Sequence, residues 1–244
     1  MKFHIYKNRK ELANELSIWI CDLINSTLQK QEFFTLVLSG GETPKDLFKK
    51  LASAELKEKI NWNKIHLFWG DERVVPFSDE RNNAKMACDI LIDHVDIPAL
   101  QVHVMRTDIE PVFAAKEYEE LLRSFFDNTD KSFDLVLLGM GDDGHTLSLF
   151  PNSPLINDEN KNWVNTAYNE AQKMFRITLM PVIVNQSSTI AFMIEGKKKS
   201  AVIKEVIKGK YSPVNLPAQI IKPVKGELHW FLDEDAAQDL EGIT

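Results

Sequence analysis

The sequence predicts an α/β fold: a Rossmann-like, doubly wound, mostly parallel sheet with helices on both faces, as a single domain over residues 1–244. Three observations predict it. Short apolar runs alternate with amphipathic stretches of helical period along nearly the whole chain, the pattern of repeated βαβ units. Several of those runs end in loops rich in glycine, acids or hydroxyls, as parallel strands do where they turn toward a helix. The composition, 44% hydrophobic and 27% charged over 244 residues, supplies one large core and an ordinary polar surface.

Each element follows from local chemistry. Phe3–Tyr6 is a short strand. Asn8 followed by Glu11 has the form of a capping box and opens a helix to about Lys30. Phe33–Leu38 is an apolar strand running into Ser39-Gly-Gly-Glu-Thr-Pro44; Thr43 suits an N-cap and Pro44 the first helical position, so a helix follows to about Leu51. Ile65–Trp69 is the next strand, and Gly70-Asp-Glu-Arg73 opens a polar loop. A helix over Asn83–Asp93 precedes a strand at Gln101–Met105, and a helix over Pro111–Phe126 precedes the strand Phe133–Leu138. Asp158 and Glu159 fall in a polar loop. Trp163–Ala167 and Phe175–Leu179 are strand-like, Pro181–Asn185 starts a short helix, Ser188–Ile194 is a strand and Lys197–Ile207 a helix. A last strand covers Glu227–Leu232 before an acidic end expected to fray. No repeat, low-complexity tract or linker divides the chain.

A net charge of −7 argues against nucleic acid or a membrane surface as the main partner. It leaves room for an anionic small molecule in a locally basic pocket. No apolar run approaches about 18 residues and no signal-peptide core is present, so a cytoplasmic location is expected. Cys21 and Cys88 lack ligand spacing and read as buried free thiols.

The chemistry concentrates in Phe133-Asp-Leu-Val-Leu-Leu-Gly-Met-Gly-Asp-Asp-Gly-His-Thr-Leu-Ser-Leu-Phe-Pro151. Gly139, Gly141 and Gly144 spell G-x-G-x-x-G, yet a dinucleotide pyrophosphate would have to sit against Asp142 and Asp143, where it needs N–H groups and positive helix-end charge. A loop exposing His145 beside carboxylates suits proton transfer instead, since an imidazole titrates at roughly 6.5. Asp143 or Asp71 would orient that ring or meet a substrate hydroxyl. The other five histidines show no partner in the sequence.

The loops after Leu38, Trp69, Leu138 and Ile194 all leave carboxyl ends of strands, so one shared pocket is expected. Backbone N–H groups of the Ser39, Gly40, Gly41 and Thr43 loop would hold a phosphate at a helix N-terminus. Arg73, Arg176 and Lys199 are the candidate cationic clamps, although the residues alone do not choose among Lys197, Lys198 and Lys199. There is no G-x-S-x-G elbow, no P-loop lysine, no H-E-x-x-H and no EF-hand loop, so neither a serine triad nor a dedicated metal site is expected.

Ordered along the chain, these motifs resemble the 6-phosphogluconolactonases, within the glucosamine-6-phosphate isomerase/6-phosphogluconolactonase superfamily. The resemblance rests on Leu38-Ser-Gly-Gly-Glu-Thr-Pro-Lys45, Phe68-Trp-Gly-Asp-Glu-Arg-Val-Val-Pro76, the Phe133–Pro151 stretch, Arg176-Ile-Thr-Leu179, Gly196-Lys-Lys-Lys-Ser200, Leu216-Pro-Ala218 and Trp230. It implies hydrolysis of 6-phospho-D-glucono-1,5-lactone without a cofactor; a monomer is expected, with an oligomer left open. It further implies that His145 is the base and that the Ser39–Thr43 loop, Arg73, Arg176 and Lys199 anchor the phosphate. Three positions depart from the family pattern: Asn82 where serine is usual, Asp142 where proline is common and Glu42 where a small polar residue is often seen. Two rival readings are a deaminase/isomerase of glucosamine 6-phosphate and a non-catalytic sugar-phosphate sensor. The deaminase resemblance carries a glutamate shortly after the histidine, where this chain has Phe150; a sensor would normally follow a DNA-binding segment for which the N-terminus leaves no room.

Overall fold

The computed structural model describes residues 1–157, 161–240 and 242. Asp158 and Glu159, read above as a polar loop, lie outside the described residues, as do 241, 243 and 244 of the acidic end. In chain order the elements are β1 (Lys2–Tyr6), α1 (Arg9–Leu28), β2 (Phe34–Leu38), α2 (Thr43–Leu51), β3 (Ile65–Trp69), β4 (Asp71–Arg73), α3 (Asn83–Ile90) and α4 (Pro111–Phe126). They continue with β5 (Leu135–Leu138), β6 (Val164–Asn169), β7 (Met174–Leu179), α5 (Pro181–Val184), β8 (Thr189–Ile194), α6 (Ser200–Lys208), β9 (Glu227–Asp233) and α7 (Glu234–Ala237).

Six strands form one wholly parallel sheet in the order β1-β9-β8-β5-β2-β3. Its inner strands β2, β5 and β8 are buried at every position, as a sheet covered by helices on both faces requires. The core holds Trp69, Trp230, Phe34, Phe48, Phe68, Phe133, Phe192 and Phe231, all fully buried. Phe192 stacks on Trp230 at 4.3 Å, and α4 brings Phe126 to 4.8 Å from Phe133. Rings of this size dominate the apolar area removed from water.

The structure departs from the expected elements at several places. Asp71-Glu72-Arg73, read as loop, is strand β4, which pairs with β7; β7 pairs with β6 in a second, antiparallel sheet that the sequence pattern did not reveal. Three polar residues carry no apolar alternation, and only the partner strand makes them a strand. Gln101–Met105 is not a strand: Ala99–Gln101 is a 3₁₀ turn and Val102 makes one isolated bridge to Leu67. There the Gln101 amide donates to Ile65 O at 2.6 Å, taking an edge carbonyl that a paired strand would need. The helix from Asn83 stops at Ile90, and a 3₁₀ turn covers Ile92–His94. Lys197–Lys199 is likewise a 3₁₀ turn, with α6 starting at Ser200.

Capping also differs in detail. Asn8 accepts from the N–H groups of Lys10 and Glu11, but Glu11 reaches back to the N–H of Lys7 rather than of Asn8. Glu42, not Thr43, takes the cap position of α2, with no side-chain cap bond. Cys21 is buried and Cys88 only half-buried, both as free thiols.

The five histidines outside the glycine loop all have partners, contrary to the sequence reading. His4 and His229 share a 3.0 Å hydrogen bond across β1 and β9, His66 and His103 share another of 3.0 Å, and His94 bonds Asp89 O. Pairing across strands is invisible until register is known. Burial and the His66 ring push His103 down to about 4, and burial lowers His4, His66 and His229. These rings stay neutral in the folded state while the unfolded chain protonates them near roughly 6.5. Their stabilising contribution is therefore complete above that pH and lost as pH falls toward the folded values. Thermal unfolding followed by circular dichroism checks this: between pH 7 and pH 4.5, His103→Asn is expected to lose less Tm than the parent chain, and equal losses would contradict it.

Candidate active site

Parallel register sets Leu38 beside Trp69 and Leu138 beside Phe192. The loops after β2, β3 and β5 therefore emerge at one edge. The order of the sheet reverses between β2 and β5, the kind of position where α/β sheets open a crevice. A cleft of about 1050 Å³ lies there. Ser39, Gly40, Gly41, Thr43, Asp71, Arg73, Asp143, His145, Arg176 and Lys199 all line it, so the structure brings together every site residue named from sequence. Met193 and the tip of the β6–β7 hairpin, Tyr168–Gln172, line it too and were missed, as does Phe150, which sequence named only as standing where the deaminase resemblance has a glutamate. Hairpin residues became visible only with the second sheet.

His145 sits on a tight turn in which the Gly141 N–H donates to His145 O at 2.9 Å and the Gly144 N–H to Gly141 O at 3.1 Å. Gly144 has φ +78, a region that disfavours side chains. Gly141 is required for another reason: a Cβ there would lie 2.1 Å from His145 Nδ1. Asp143 Oδ1 accepts from the His145 backbone N–H at 3.1 Å and meets Nδ1 at 2.6 Å. That bond holds the Asp143 carboxyl below the usual carboxylate range. A carboxylate only accepts, so Nδ1 carries the proton and Nε2 presents its lone pair. The ring also leans on Phe150, 4.8 Å between centroids.

Asp71 has different partners. Its Oδ2 accepts from Ser148 Oγ at 2.6 Å and lies 3.5 Å from Arg176 Nη1. Of the two acids offered for orienting the imidazole, Asp143 is the one that touches it.

Arg73 and Arg176 face each other directly across β4 and β7. Like charges opposite one another destabilise a sheet unless an anion answers them. Asp71 answers in part. Otherwise the two guanidinium groups hold neutral acceptors: Arg73 donates to Arg81 O at 2.9 Å and to Asn83 Oδ1, and Arg176 to Gln172 Oε1. The Nε of each is buried without a partner. Two guanidinium groups facing each other at one cleft, each with its Nε lacking a partner, suit an incoming oxyanion.

At the glycine loop, the Ser39 hydroxyl makes a long 3.5 Å contact with Gly40 O. Thr43 Oγ1 donates to Glu195 Oε1 at 3.1 Å, which also pairs with Arg9 at 3.1 Å. Lys199 Nζ donates to Met140 O at 2.5 Å, on the loop that carries His145. Burial lowers its pKa, against the pull of Asp142, Glu195 and Asp143. Its neighbours Lys197 and Lys198 are exposed and do not line the cleft, so the fold makes the choice among the three lysines that sequence left open. Among the described residues, no cluster of three or more histidine, cysteine or acidic side chains could hold a metal ion, and no helix is long and apolar enough to cross a membrane.

The family model of glucosamine-6-phosphate isomerases/6-phosphogluconolactonase matches residues 7–230. The chain is 38% identical over 201 residues to a 6-phosphogluconolactonase of Haemophilus influenzae, covering 82% of this chain and 85% of that protein. It is 34% identical over 237 residues to that of a Synechocystis species, covering 96% and 95%. Among solved structures, 6-phosphogluconolactonase from Thermotoga maritima has a TM-score of 0.82 at 29% identity, over 95% of this chain and 99% of that one. The enzyme from Trypanosoma brucei has a TM-score of 0.85 at 26% identity, over 98% of each. The chain belongs to the glucosamine-6-phosphate isomerase/6-phosphogluconolactonase family.

Because the Gly141 site has no room for a methyl group, Gly141→Ala is expected to push the imidazole off Asp143 while the sheet stays folded. Histidine ring ¹H–¹⁵N spectra would lose the hydrogen-bonded Nδ1–H signal of His145. A retained signal would reject this account of the glycine.

Proposed function

We propose that this chain hydrolyses 6-phospho-D-glucono-1,5-lactone to 6-phospho-D-gluconate, the second step of the oxidative pentose phosphate pathway. One observation carries the reading beyond family membership: a single cleft holds a carboxylate-held imidazole and two arginines that face each other across β4 and β7, each with its Nε lacking a partner. The imidazole suits the chemistry and the arginines suit the phosphate handle.

In this reading His145 Nε2 takes a proton from water as the water oxygen bonds to the lactone carbonyl carbon. Negative charge collects on the former carbonyl oxygen. Collapse of that intermediate breaks the bond to the ring oxygen, which takes the proton back from Nε2 as it becomes a hydroxyl. Asp143 keeps the ring oriented and stabilises its transient positive charge. A lactone is an activated ester, so a positioned base suffices without a covalent nucleophile or cofactor. Arg73, Arg176 and Lys199, with the Ser39–Thr43 loop, anchor the phosphate. The same reading has the enzyme acting in the cytoplasm.

Phe150 favours this reaction over deamination of an amino sugar, because an aromatic ring packs on His145 where the deaminase resemblance has a carboxylate. An intact Asp143–His145 pair is also unneeded by a sensor.

His145→Ala should lower kcat by about 10²–10⁴-fold while KM stays within a few-fold, since it removes a group that acts in the transition state. The assay uses freshly prepared substrate with spontaneous hydrolysis subtracted, and unchanged kcat would remove His145 from the mechanism. Arg73→Ala should raise KM for the phosphorylated lactone about tenfold or more, the loss of a charged hydrogen bond. Glucono-1,5-lactone without phosphate should be much less affected, and equal effects on both would sink the phosphate role of Arg73.

A further inference from the structure

The cationic end of the cleft is shaped by a side chain that points away from it. Along β4, Asp71 and Arg73 face the cleft, so Glu72 points the opposite way and is fully buried. Its Oε1 accepts the backbone N–H groups of Arg73 at 2.7 Å and Asn83 at 2.8 Å, and its Oε2 that of Ala84 at 2.8 Å. Those donors stand at the two ends of the loop formed by residues 74–82: one where it leaves β4, two in the first turn of α3. One carboxylate thus closes the loop.

What the closed loop delivers is the Arg73 head group. Asn83, buried at 1% exposure, donates through Nδ2 to Asp71 O at 2.9 Å and accepts from Arg73 Nη1. Its side chain fills the space that a Cβ on Gly40 would occupy, so the same residue abuts the glycine loop. Arg81 O, inside the loop, takes a second bond from Arg73 Nη1.

We infer that Glu72 is a positioning residue for the substrate phosphate, holding Arg73 at the cleft by closing the 74–82 loop in its ionised form. The inference rests on the lactonase reading above. A protonated carboxyl would turn one acceptor oxygen into a donor facing an N–H group and open one of the three bonds. Burial pushes Glu72 up to about 7 despite those bonds, and Asp71 adds to the rise. The other groups that feel its charge are the Arg176 guanidinium and the Tyr118 hydroxyl.

The test compares Glu72→Gln with wild type on 6-phosphogluconolactone and on glucono-1,5-lactone from pH 6 to pH 8. At pH 8 the variant should raise KM for the phosphorylated lactone about tenfold with kcat held within about twofold, and change kcat/KM for the unphosphorylated lactone by less than about twofold. The ratio of variant to wild-type KM should fall toward one by pH 6, where wild-type Glu72 is itself protonated. An unchanged KM at pH 8, an equal loss on both lactones, or a pH-independent ratio would overturn the inference. If the Gln variant does not fold, Glu72→Asp, which keeps the charge on a shorter arm, carries the same expected KM split. Equal wild-type kcat/KM on the two lactones would instead defeat the phosphate-anchored reading itself, before any variant is compared.

Discussion

The parallel register of β2, β3, β5 and β8 is the constraint on which the site depends. Hydrogen bonding in register holds Leu38 level with Trp69 and Leu138 level with Phe192, so the turns that follow emerge side by side. Shifting one of these strands by a residue would turn its side chains to the opposite face and carry its loop with it. Strands buried on both faces resist that shift, because it would disturb packing on each side. The rigidity of an apolar sheet thereby becomes the placement of His145, Asp71 and the glycine loop.

A second sheet completes what the first begins. β4 branches from the end of β3 through Gly70, whose carbonyl accepts the Leu179 N–H at 2.8 Å, and its pairing with β7 brings Arg73 opposite Arg176. Neither arginine sits comfortably: each buries an unpartnered Nε, and Asp71 lies 3.5 Å from Arg176 Nη1. Such local cost is tolerated where a ligand relieves it. His145 is treated in the opposite way, with its Nδ1 satisfied by Asp143 and the loop trimmed to glycine beside it, so the ring is fixed before substrate arrives.

Particular residues mark what could be read along the chain. His145 and Asp143 are two residues apart in a glycine turn, so Asp143 was legible as one of two candidate partners, but Asp71 was set aside only by its own bonds to Ser148 and Arg176. Ser39–Thr43 was legible as a loop entering a helix, though the Thr43 hydroxyl turned out to serve Glu195. Glu72 was overlooked, and one signal would have found it: in a strand, the middle residue of Asp71-Glu72-Arg73 points away from its neighbours, into the protein. Assigning that triplet to a strand required β7, over a hundred residues further on. Gln172 and Tyr168 escaped notice for the same reason.

The sequence by itself determined the alternation of strand and helix, the all-parallel sheet's apolar strands, and the chemical types gathered at strand ends. Those properties reside in periods of a few residues and in turn chemistry, which neighbours along the chain decide. Only the tertiary structure decided that Asp143 and not Asp71 holds the imidazole, that Lys199 and not its two neighbours lines the cleft, and that Arg73 stands against Arg176. Each of those facts depends on register and crossing between distant segments, and hydrogen bonds between strands leave no periodic trace in the order of the residues.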